Sequence, residues 1–180
     1  MRETTRQVFR VTIEAAIEDV WRELTKQDEV LPFFFGSVLH TTRLAPGAPI
    51  RMRSPDGKYT GVVGEVLEFE PPHRYAHTFR FTSLDDPPCK VIYELKEVPE
   101  GTEFTLICED VPVGTKTERQ MGGGGKIITS TLKSMLETGK PTATARMIMV
   151  VNKLLGPIVT PKRCLSTNWP LESSQGAERA

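Results

Sequence analysis

Apolar and polar positions alternate at the start of the chain. Phe9, Val11 and Ile13 are separated by Arg10 and Thr12, the two-residue period of a half-buried strand. The period then lengthens. Ile17, Val20, Trp21 and Leu24 recur at three- and four-residue steps, which predicts a helix from 17 to about 25 with one apolar face. A second short helix is expected from Gln27, ending near Phe33-Phe34-Phe35-Gly36. Alternation then returns. Strands are expected over 38–44, 50–53, 59–70, 74–82, 90–98 and 102–110, punctuated by Pro46-Gly47, Pro55-Asp56-Gly57, Pro71-Pro72 and Pro99-Glu100-Gly101. Counting outward from the last turn sets Leu95 opposite Phe104, Tyr93 opposite Leu106 and Val91 opposite Cys108, all on one face. Tyr75, His77, Phe79 and Phe81 also share a face. Counting back through Pro71-Pro72 puts His77 opposite Leu67, with Glu65 diagonal to it on the same side.

The run Gly122-Gly123-Gly124-Gly125 precedes a helix expected from Lys126 to Thr138, closed by Gly139 and striped with Ile128, Leu132, Met135 and Leu136. Because glycine disfavours helix by about 1 kcal/mol per residue, Gly122 to Gly125 are expected to form a hinge. The stretch 114–125 would then be a mobile gate. A further apolar helix is expected over about 143–155, capped by Thr142 or Thr144 and stopped by Gly156-Pro157. A polar tail from Ser166 would be poorly ordered.

These elements define an α+β class. A curved antiparallel sheet of about six to seven strands wraps a long helix, with two short helices after the first strand. Residues 1–139 form the domain and 140–180 an extension. Strong curvature would leave a hollow between sheet and helix. Its expected lining comes from Trp21, Phe33, Phe34 and Phe35, from the strand residues Met52, Leu67, His77, Phe79, Tyr93, Leu106 and Cys108, and from Ile128, Leu132 and Met135 on the helix.

Composition narrows the function. Lys+Arg and Asp+Glu both number 23 in 180 residues, so no long-range attraction draws the chain to nucleic acid. Three cysteines at wide spacing suggest neither a disulfide framework nor a metal site. The charged start resembles no secretion signal, and no apolar run approaches about 18 residues. A cytoplasmic protein is the expectation. The glycine run is not a phosphate loop, because Gln120 and Ile127 stand where that motif needs Gly and Ser or Thr. No cofactor and no metal are expected. Glu65 and His77 in an apolar cavity could form an acid/base pair. A buried histidine hydrogen-bonded to a neighbour and doing no chemistry is the commoner outcome. Cys108 reads as a small buried hydrophobe before it reads as a nucleophile.

The order of local motifs resembles a known family. Val20-Trp21 with Leu24-Thr25, then Phe34-Phe35-Gly36, is similar to the early part of the SRPBCC (START-like) superfamily. Tyr59, Gly61, Gly64-Glu65-Val66-Leu67-Glu68 and Pro71-Pro72, with the closing Leu132-Lys133 and Leu136-Glu137, resemble its subfamily related to the activator of heat-shock protein 90 ATPase. The resemblance runs from about 8 to 139 and implies a helix-grip fold. Its members include ligand carriers, cyclase-like enzymes and stress-related proteins. The leading expectation is therefore a binder of a small hydrophobic or amphipathic ligand. A cyclase- or hydrolase-like enzyme and a chaperone-binding protein are the alternatives. The helix at 143–155 is expected to cover its own domain, a second copy or, less strongly, a membrane surface.

Overall fold

The computed structural model describes residues 3–171. One eight-stranded antiparallel sheet carries the fold. Strands β1 (Thr4–Ile13), β2 (Val30–Leu31), β3 (Ser37–Thr41), β4 (Pro49–Arg53), β5 (Thr60–Glu70), β6 (Arg74–Phe81), β7 (Cys89–Val98) and β8 (Gly101–Pro112) lie in the order β1-β8-β7-β6-β5-β4-β3-β2. Helix α1 (Ile17–Leu24) follows β1, α2 (Lys116–Thr138) follows β8, and α3 (Ala143–Val159) follows α2. The sheet curves around α2, and one apolar core fills the concave side, built on Ile13, Val20, Phe33, Ile50, Phe104 and Leu132. The β7–β8 register is the one counted from sequence, with Leu95, Tyr93 and Val91 opposite Phe104, Leu106 and Cys108.

The second short helix is absent. Val30 and Leu31 pair with Val38 and Ser37 as strand β2, and only one 3-10 turn, Pro32–Phe34, follows. Proline at 32 holds Leu31 extended, which ends helical continuation from the left. Phe35 and Gly36 then both take left-handed backbone, φ 57° and 77°, and reverse the chain into β3.

The larger correction concerns the glycines. Helix α2 begins at Lys116 and runs unbroken through Gly122 to Gly125. Its start is secured by Thr115, whose hydroxyl accepts from the Glu118 amide, while the Glu118 carboxylate accepts from the Gly114 amide. Asp86 accepts from both the amide and the hydroxyl of Thr117. The Thr-x-x-Glu signature at 115–118 was available in the sequence and outweighs the low helix propensity behind it. Two of the glycines serve packing instead. A Cβ on Gly125 would lie 2.2 Å from a Phe9 ring carbon, and one on Gly124 would lie 3.4 Å from Phe35. Helix α2 therefore approaches β1 more closely than any side chain would allow.

Helix α3 also outruns its expected stop, ending at Val159 after Pro157. Proline there forfeits one N–H, and in an exposed last turn solvent can meet the carbonyl it leaves. The tail is docked as far as it is described. Cys164 is buried, Leu165 bridges Tyr59, and the Trp169 and Pro170 carbonyls accept from Arg53 and Arg51. The expected disorder beyond 171 falls outside the described residues.

Candidate functional site

A hollow lies at one end of the core, between α1, the Pro32–Phe34 turn and the strands β2, β3, β4, β6 and β7. It measures about 20 Å³ and is lined by Leu24, Leu31, Phe33, Phe34, Leu39, Ile50, Met52, Tyr75, His77 and Tyr93. That is room for about one water molecule. Of the residues expected to line a cavity, Phe33, Phe34, Met52, His77 and Tyr93 are there. Leu106, Cys108, Ile128 and Leu132 are buried in the packed core, and Phe79 joins Phe34 edge-on at 6.5 Å. Trp21 seals α1 onto β5 through Phe69, ring to ring at 5.3 Å. Phe35 and Met135 pack partly exposed against the core.

Two expectations on β5 fail for one reason. The β5–β6 ladder pairs Glu70 with Arg74, Phe69 with Tyr75 and Glu68 with Ala76, then slips by one residue so that Val66 faces His77. Leu67 is the extra residue of a bulge. It joins Ala76, Ile92 and Ile107 in a small cluster apart from the main core. Every residue before it changes face. Val66 is buried in the core, and Glu65 is exposed, its amide donating to the Thr78 hydroxyl. Glu65 therefore does not share a cavity with His77, and the acid/base pair is not assembled.

The polar groups that do reach the hollow come from β6 and β7. The His77 ring lies 5.2 Å from Tyr75 and 5.8 Å from Tyr93, centroid to centroid. Complete burial pushes the His77 imidazolium down to about 4, against a smaller opposing pull from the Thr78 carbonyl. The ring is therefore neutral at physiological pH. Its Nδ1 lies 2.8 Å from that carbonyl, which can only accept, so Nδ1 carries the proton and Nε2 is left as an acceptor. Burial also raises the Tyr75 and Tyr93 phenols well above their usual range, so both keep their protons. The Tyr75 hydroxyl is buried with no hydrogen-bond partner among the described residues. Sequence alternation placed Tyr75 on this face but could not show that its hydroxyl would lack a partner.

The Cys89 and Cys108 thiols are poor nucleophiles. Burial raises Cys89 to about 11 and Cys108 to about 12, which leaves almost no thiolate at neutral pH.

A curved antiparallel sheet gripping one long helix, with a hollow beneath short covering elements, defines a helix-grip domain. Residues 14–137 match the model of the Activator of Hsp90 ATPase homolog 1-like protein family, and the chain belongs to that family. No curated protein matches it. Among solved structures, DynU16, a protein of the dynemicin biosynthetic locus, is 26% identical with TM-score 0.59, covering 76% of this chain and 48% of that one. The Aha1 dimer from Colwellia psychrerythraea is 18% identical with TM-score 0.62, over 76% of this chain and 98% of that one. CalU16 from Micromonospora echinospora is 17% identical with TM-score 0.58, over 89% and 95%.

Proposed function

We propose that the domain binds a small amphipathic molecule in the hollow beneath α1 and the Pro32–Phe34 turn, without chemical conversion. The observation that carries this reading is the buried Tyr75 hydroxyl, without a partner among the described residues, in a mostly apolar pocket that it shares with His77 and Tyr93. A buried hydroxyl without a partner costs about 1–3 kcal/mol, so such a group in a native core calls for an explanation. A ligand hydroxyl that donates to His77 Nε2 and accepts from Tyr75 would satisfy both. The apolar remainder of the ligand would lie against Leu31, Leu39 and Met52.

A ligand larger than a water molecule requires the walls to move. Phe33 and Phe34 sit on a short covering element, a single 3-10 turn, and are the walls that would move. The likeness to a protein of a biosynthetic locus supports a small-molecule ligand. Native mass spectrometry of gently purified protein, followed by titration with the molecule found, tests the reading. Tyr75→Phe and His77→Leu are each expected to weaken binding about tenfold while the fold persists, the effect of one lost buried hydrogen bond. A chain that carries no small molecule, together with a Phe34→Ala variant that admits no lipophilic probe, would overturn it.

A further inference from the structure

Helix α3 presents an apolar face to solvent. Met147, Val150, Val151, Leu154, Leu155 and Ile158 are 45–79% exposed. Met147, Val151, Leu154 and Ile158 follow steps of three and four residues, so they form one continuous stripe. The opposite side of the helix seats it on the domain. Ala145 is buried, and Met149 lies against Gly36 so closely that a Cβ there would come within 2.9 Å of its Cγ. The outward stripe is therefore not the face that secures α3 to its own fold. A contiguous patch of this kind on a water-soluble surface marks a contact site.

The charge around the stripe selects the occupant. The whole chain balances 23 cations with 23 anions, yet residues 138–171 contain Lys140, Arg146, Lys153, Lys162 and Arg163 and no Asp or Glu. Arg146 and Lys153 are seven residues apart, so both flank the stripe on the same side, and both are exposed. Arg163 is engaged by Asp85 at 2.6 Å. Lys140 and Lys162 are exposed at the two ends of α3. Two copies meeting through this stripe would press like charges together, with no carboxylate in the segment to relieve them. An anionic bilayer surface meets both needs, because it buries the apolar stripe and holds the flanking cations at its headgroups.

We propose that α3 docks the domain on anionic phospholipid membranes, lying in the plane of the interface. No helix among the described residues is long and apolar enough to cross a membrane, which fits a helix that lies on the surface. This surface is separate from the hollow, and the inference does not depend on ligand binding there.

The test is co-sedimentation of the full chain with phosphatidylcholine vesicles, with and without about one-third phosphatidylserine. Binding is expected to anionic vesicles only and to weaken as salt rises. Leu154→Asp and Ile158→Asp remove apolar area where nothing of the domain is packed, so each is expected to keep the native circular dichroism spectrum and lose at least about tenfold in partitioning. Arg146→Gln and Lys153→Gln are each expected to lose roughly fivefold. Three outcomes overturn the proposal. One is a folded wild-type chain that stays in the supernatant. Another is vesicle binding unaffected by Leu154→Asp. The third is a concentration-dependent dimer, seen by analytical ultracentrifugation and abolished by Leu154→Asp, in a protein that ignores vesicles.

Discussion

Two alanine substitutions two residues apart on one helix should move stability in opposite directions. In Gly123→Ala the new methyl meets nothing within 4 Å. Only the gain in helix propensity remains, about 1 kcal/mol, or roughly 2–4 °C in Tm for a chain of this size. In Gly125→Ala the same gain is opposed by contact with Phe9, whose ring carbons would stand 2.2, 2.4 and 2.6 Å from the methyl. Carbon atoms pack at about 3.5–4.0 Å, so the ring or the helix must yield by more than about 1 Å. Overpacking of that kind costs about 1–3 kcal/mol, and the net effect is a destabilisation of up to about 2 kcal/mol. Removing the ring should reverse the sign. On a Phe9→Ala background, Gly125→Ala is expected to stabilise by about 1 kcal/mol, as at position 123. Urea denaturation followed by circular dichroism at equal temperature measures all four states of the cycle. A Gly125→Ala protein stabilised as much as Gly123→Ala with Phe9 in place would refute the view that close approach explains the glycine run.

His77 titrates near 4 when folded, against an ordinary value of 6.5. The unfolded chain therefore binds the extra proton, and stability is full above about 6.5 and falls as pH drops to about 4. The loss is on the order of 3 kcal/mol. His77→Leu should flatten that window in urea midpoints measured against pH, while the carboxylate contribution below it remains. The three cysteines, all buried, should react with an aromatic disulfide reagent only in denaturant; rapid labelling of Cys89 or Cys108 in the native protein would contradict the packing of β7 and β8, and of Cys164 the docking of the segment after α3. The Trp169 ring lies 5.3 Å from the Arg80 guanidinium. Trp169→Ala should cost about 1 kcal/mol, read as a lowered urea midpoint, and no change would mean the segment after α3 is only loosely held.

The backbone path was largely legible in the chain. Alternation over Phe9 to Ile13 marked a strand, and the turn at Pro99-Glu100-Gly101 specified a hairpin whose faces and register recur in the structure, because a two-residue period admits only one inward set. The apolar steps at Ile17, Val20 and Leu24 likewise mark α1. Most of the candidate site was not legible, for reasons that are local and steric. A single extra residue at Leu67 turns Glu65 outward and leaves His77 facing Val66, and no periodicity announces a bulge. Four glycines read as a break by propensity alone, but the Phe9 ring that needs the missing methyl of Gly125 comes from a strand more than a hundred residues earlier. Whether the stripe of α3 faces its own domain or solvent depends on where Ala145 and Met149 find Gly36 and the core. Amphipathic patterns state which residues share a face. Only the packing of distant elements decides what that face meets and how much space is left between them.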